Sequence, residues 1–137
     1  MINLINAAIK LNYDSCYAHN NLCHMSKYAA NKELRTVHIN CGRQTGKTHS
    51  MMQLARTDDL IIVRVEEDVR RLKNSYPDCL ADIITYGNLV YYRRNIIPSS
   101  TSYDRVWLDE SGYFRESIDS EKEYYHLSAN IFIKLGE

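Results

Sequence analysis

The sequence predicts an α/β fold in which a mostly parallel β-sheet is flanked by helices and takes its ligand at the carboxyl ends of its strands. Three stretches carry that expectation. Residues 36–50 (TVHINCGRQTGKTHS) read as a strand that passes through a glycine-bearing loop into a helix. Residues 60–65 (LIIVRV) form a nearly continuous apolar run, the pattern of a parallel strand buried on both faces. Val106, Trp107 and Leu108 form a second apolar strand, which ends on Asp109 and Glu110.

The elements follow in order. Residues 2–11 place Ile2, Leu4, Ile5, Ala8, Ile9 and Leu11 near one helical stripe, and Asp14 is suited to cap a following helix. In that next helix Cys16, His19 and Cys23 share a face. Zinc sites usually take closed sets of four ligands from separate segments, so this face reads as buried thiols with a partly exposed histidine. Residues 36–40 alternate β-branched and polar side chains, as a strand does, and residues 49–56 continue as a helix. After a break at residues 57–59 comes the apolar strand 60–65. Residues 66–75 (EEDVRRLKNS) set acids first and bases later, matching a helix dipole, and Pro77 stops them.

Residues 82–86 and 88–92 are short β-prone runs around Gly87, the first also compatible with a turn of helix. Arg93 and Arg94 follow; the pair reads as solvated charge at a strand end, with an arginine facing a terminal phosphate or contact with a nucleic-acid backbone as the functional alternatives. Residues 96–102 are a polar turn. Residues 113–127 read as a helix and residues 130–135 (NIFIKL) as the last strand.

Composition narrows the functional classes. A chain of 137 residues predicts one domain, with residues 1–34 a helical segment packed on a core of residues 35–137. Lys plus Arg and Asp plus Glu each number 17, so no overall basic excess advertises nucleic acid, although a local basic face remains open. No apolar run approaches the roughly 18–20 residues of a membrane span, and the first residues lack the pattern of a signal peptide. The expectation is a cytoplasmic protein with no membrane partner, whose four cysteines are reduced, buried or inert. Eleven tyrosines demand hydroxyl partners or solvent where they pack inside.

The chemistry lies in residues 42–48 and in Asp109-Glu110. A loop that wraps a polyphosphate turns its backbone N–H groups inward, which Gly42 and Gly46 permit. Lys47 is then placed to reach the outer phosphates and the Thr48 hydroxyl to bind Mg²⁺. An aspartate at the end of a neighbouring strand belongs beside that Mg²⁺, and a glutamate one residue later can polarise an attacking water. The separation of Lys47 from Asp109 leaves room for a strand–helix–strand excursion between them.

The loop departs from the pattern G-x-x-x-x-G-K-[ST] in one place: its first position is Cys41, with the glycine one residue later at Gly42. With an arginine and a glutamine inside it, GRQTGKT resembles the variant Walker A loop of the large terminase subunits, the ATPases that pump viral DNA into capsids, and of related helicase-like ATPases. The resemblance covers roughly residues 35–135. It implies a P-loop fold in which the strand after Asp109 slots between the P-loop strand and the Asp109 strand. It implies ATP held by Gly42, Arg43, Gln44, Thr45, Gly46, Lys47 and Thr48, Mg²⁺ held by Thr48 and Asp109, and catalysis by Glu110, Lys47 and Arg43. It also implies a viral ATPase acting on DNA within a larger assembly, with a protein partner or further copies of itself. The family often has a polar coupling residue after the strand 130–135 and a nuclease domain beyond it, and neither is evident. An interaction protein derived from such an ATPase, using nucleotide as a switch or not at all, is the alternative. A small-molecule kinase is disfavoured by Glu110.

Overall fold

The strand of residues 60–63 has no polar side to give to water: Leu60, Ile61, Ile62 and Val63 are all buried, their side chains alternating between two separate apolar clusters. Such a strand is stable only inside a sheet covered on both faces. The computed structural model shows that sheet. It describes residues 1–18, 26–42, 45–95, 97–98, 101–110 and 118–136, with side chains except at 16–18 and 118–121.

In chain order the elements are α1 (Ile2–Ala18), α2 (Lys27–Glu33), β1 (Thr36–Ile39), α3 (Lys47–Leu54), β2 (Leu60–Val63), α4 (Glu66–Ser75), β3 (Asp82–Thr85), α5 (Leu89–Asn95), β4 (Ser102–Leu108), α6 (Ile118–Tyr125) and β5 (Ser128–Leu135). The five strands form one sheet in the order β1-β5-β4-β2-β3, and every pairing is parallel. The last strand therefore lies between the glycine-loop strand β1 and the strand β4 that leads to Asp109, the position expected for it. Its register sets Ile39 against Leu135 on one side and Leu108 against Lys134 on the other.

Helices cover both faces. On one, Ile5 and Ile9 of α1, Met51 and Met52 of α3, and Val69 and Leu72 of α4 pack on Ile61, Trp107, Ile131 and Ile133. On the other, Leu89 of α5 and Tyr124 and Tyr125 of α6 pack on Ile62, Val106, Leu108 and Phe132, with Tyr28 of α2 at the margin. Each fully buried aliphatic side chain contributes roughly 1.5–3 kcal/mol by leaving water, so these two layers hold the sheet. Tyrosines concentrate in the second layer, where the rings of Tyr124, Tyr125 and Phe132 meet edge-on or tilted at 4.9–5.9 Å between centroids.

A buried ion pair braces the start of β2 against the middle of β4. Asp59 is fully buried; its Oδ2 accepts from Arg105 Nη2 at 2.9 Å, from Arg105 Nε at 3.0 Å and from Trp107 Nε1 at 3.0 Å. Arg105 also donates to the Leu54 carbonyl at 2.6 Å, tying the end of α3 to the sheet. Several charge-assisted donors on one carboxylate offset much of the desolvation that burying two charges costs.

Three local expectations are corrected. Residues 88–92 are not a strand: α5 runs through them, because Leu89 alone of that stretch is fully buried while Tyr91 stays exposed, the one-sided burial of a surface helix. Asp14 caps no new helix, since α1 continues unbroken to Ala18 and Asp14 pairs with Lys10 one turn back at 2.8 Å. The strand expected over residues 60–65 stops at Val63, with Arg64 and Val65 exposed where the chain turns into α4. Of the cysteines, Cys41 is exposed and Cys79 half-buried. The side chain of Cys16, together with His19 and Cys23, lies outside the described residues.

Candidate functional site

The site is built where β1, β2 and β4 end. β1 stops at Ile39 and the chain enters the loop at Asn40, whose Oδ1 accepts from the Gly42 amide at 3.3 Å. Gly42 and Gly46 have φ of 80° and 79°, the left-handed region, so each bend is one that a side chain would strain. Cys41, in the place where the usual pattern has its first glycine, points its side chain outward and is exposed, so the loop accommodates it. Gly46 caps α3 with no side-chain hydrogen bond, which leaves the first N–H groups of that helix for an anion.

Lys47 curls back over this loop. Its Nζ donates to the Gly42 carbonyl and, at 3.1 Å, to Thr45 Oγ1. Thr45 Oγ1 also donates to the Gly42 carbonyl at 3.4 Å. An ammonium thus sits across the loop mouth, held by neutral oxygens that a phosphate's charge would outcompete.

The next residue joins the two distant motifs. Thr48 Oγ1 donates to Asp109 Oδ2 at 2.9 Å. Asp109 is set there by the sheet: Leu108 pairs with Ile62, and the Asp109 amide donates to the Ile62 carbonyl at 3.0 Å. Burial pushes the Asp109 carboxyl above its ordinary range and the neighbouring Glu110 adds to that. The hydrogen bonds from Thr48 and from the Glu110 amide, and the Arg71 guanidinium, pull the other way.

Glu110 is exposed, with its amide donating to Asp109 Oδ1 at 3.1 Å. Its φ is 57°, and among the described residues it alone of the non-glycines has positive φ. Left-handed geometry costs a glutamate about 1–2 kcal/mol, and such strain tends to gather at sites of function.

Thr48 and Asp109 together offer a hydroxyl and a carboxylate oxygen, the hard donors that Mg²⁺ takes. Among the described residues no three of His, Cys, Asp or Glu group closely enough to hold a metal by themselves. A cation here would complete its shell with water and phosphate oxygens, which is the habit of Mg²⁺.

Of the residues expected at the site, Gly42, Thr45, Gly46, Lys47, Thr48, Asp109 and Glu110 come together at the carboxyl edge of the sheet; Arg43 and Gln44 lie outside the described residues. Arg93 and Arg94 sit elsewhere, on α5, where they share Glu123 at 3.0 and 3.5 Å. The sequence reading missed Arg71, because the basic half of α4 was sufficiently explained by the helix dipole.

The chain is a P-loop-like α/β domain, with an all-parallel five-stranded sheet flanked by helices. No protein-family model and no curated protein matches the chain. No described helix is long and apolar enough to cross a membrane.

Proposed function

We propose that the chain is a small Mg²⁺-dependent ATPase of the terminase and helicase-like type, viral in origin, which works on DNA in the cytoplasm as part of a larger assembly. The observation that carries the reading is the 2.9 Å hydrogen bond between Thr48 and Asp109, which brings a phosphate-binding loop and an acidic strand end to one place. The placing of β5 between β1 and β4 supports it, being the sheet order that the resemblance implies.

In this reading Gly42, Thr45, Gly46 and the start of α3 cradle the phosphates, and Lys47 leaves the Gly42 carbonyl for the β- and γ-phosphate oxygens. Thr48 and Asp109 hold Mg²⁺, which when bound offsets charge on the phosphates. Glu110 orients a water and takes its proton. The water oxygen bonds to the γ-phosphorus as the bridge to the β-phosphate breaks, and the electrons of that bridge leave with ADP.

Phosphate release from ATP and Mg²⁺ tests the proposal. Wild type is expected to release phosphate, Lys47→Ala and Glu110→Gln not, with the glutamine variant still binding ATP. Equal release from all three would end the assignment. Binding without release in wild type would point instead to an ATPase-derived interaction protein with nucleotide as its switch. Repeating the assay with added DNA tests that partner: stimulation is expected, and an unchanged rate would remove DNA from the proposal.

A further inference from the structure

Two arginines on one carboxylate flank the candidate site. Arg64 follows β2 directly, and its Nε donates to Asp68 Oδ2 at 3.1 Å. Arg71, one turn further along α4 than Asp68, donates through Nη2 to Asp68 Oδ1 at 3.3 Å. Asp68 is largely covered, its side chain 14% exposed, while the Arg71 side chain is 60% exposed. The acid is an anchor and the arginine stands in solvent.

Topology points this group at Asp109. β2 lies beside β4, and the Ile62 carbonyl accepts the Asp109 amide, so the chain leaving β2 for α4 begins next to Asp109. The far end of α4 is tied to the P-loop helix, where Tyr76 Oη meets His49 Nδ1 at 2.7 Å, one residue from Thr48. Arg71 reaches back toward the first turn of α4, so its guanidinium lies at the carboxyl edge of the sheet.

We propose that Arg71, steadied by Asp68, is an arginine that contacts the terminal phosphate of the bound nucleotide, so that the site distinguishes a triphosphate from a diphosphate. The inference rests on the nucleotide reading above. Asp68 takes one of the five N–H groups of the guanidinium in the contact described, and the planar fork suits two phosphate oxygens at once. In hydrolysis the same fork stabilises charge on the equatorial oxygens as the bridge to the β-phosphate opens. Arg64 shares the anchor and holds Asp68 in place when Arg71 turns to the phosphate.

The test combines turnover with calorimetric titrations of ATP and of ADP, each with Mg²⁺, into wild type, Arg71→Ala, Arg71→Lys and Lys47→Ala. Arg71→Ala is expected to lower kcat about a thousandfold, the low end for an arginine set against a transferring phosphoryl group. It should weaken ATP binding roughly tenfold while leaving ADP binding within about twofold. Arg71→Lys should recover part of the ATP affinity but not the turnover, since an ammonium lacks the fork. A wild type that turns over, with both Arg71 variants matching its kcat and its ratio of ATP to ADP affinity, overturns the inference and leaves the nucleotide reading standing. A wild type that binds neither nucleotide, indistinguishable from Lys47→Ala, overturns both.

Discussion

Thr48 and Asp109, sixty-one residues apart in the chain, meet through a 2.9 Å hydrogen bond at the carboxyl edge of the sheet. Each is placed by a separate element, Thr48 by the first turn of α3 and Asp109 by the strand register of β4 against β2. A bond of this length therefore reports the whole arrangement of loop, helix and sheet.

Asp109 contributes to the site at a cost to the fold. Its carboxyl lies above the ordinary value of 3.8, chiefly through burial, so the folded chain takes up a proton more readily than the unfolded one. Stability from this group is then lost as pH rises through the window above 3.8. Asp109→Asn is expected to stabilise the chain by about 1 kcal/mol at pH 7, with the gain shrinking toward pH 4, and to lose Mg²⁺-dependent nucleotide binding. Thermal melts of both proteins across that range check it; a variant less stable at pH 7, or a gap that ignores pH, would contradict the account of burial.

The glycines separate backbone strain from steric crowding. A Cβ at Gly46 or at Gly87 would meet nothing within 4 Å, but only Gly46 has positive φ, at 79°. Gly46→Ala should cost about 1–2 kcal/mol and Gly87→Ala stay within about 0.5 kcal/mol of wild type. Urea unfolding curves decide; equal effects would show that the loop backbone relaxes.

Much of the fold was legible in the sequence because the sheet is buried on both faces. The runs at residues 60–63 and 106–108 have no polar alternation to confuse them, although the expected strand ran two residues too far, through Arg64 and Val65, and α4 begins and ends at the bounds that its acids and Pro77 suggested. Where one face meets solvent the signal weakened. Residues 88–92 are rich in β-prone Val and Tyr, yet a helix there buries Leu89 against Ile62 and Tyr124 and leaves Tyr91 in water, and tertiary packing overrode propensity. At the site, Lys47, Thr48 and Asp109 could be found from motif and order. The Arg71–Asp68–Arg64 group could not, since its place depends on β2, which leads into α4, pairing with β4.

The Asp59–Arg105 pair is the most exacting part of the core. Removing the acid strands a buried guanidinium, and Asp59→Ala is expected to lower the unfolding free energy by about 3–5 kcal/mol. Trp107 is the one tryptophan and donates to the same carboxylate, so its fluorescence in urea follows the loss directly. A change below about 1 kcal/mol would mean that Arg105 finds other partners.

The claim on which the functional account depends is that one nucleotide bridges Lys47, Thr48 and Asp109. Calorimetric titration of ATP with Mg²⁺ into wild type and Lys47→Ala tests it most directly. Saturable binding at one site per chain, lost on the lysine change and weakened when Mg²⁺ is withheld, is the predicted result. Heats of dilution alone from the folded wild type would contradict it.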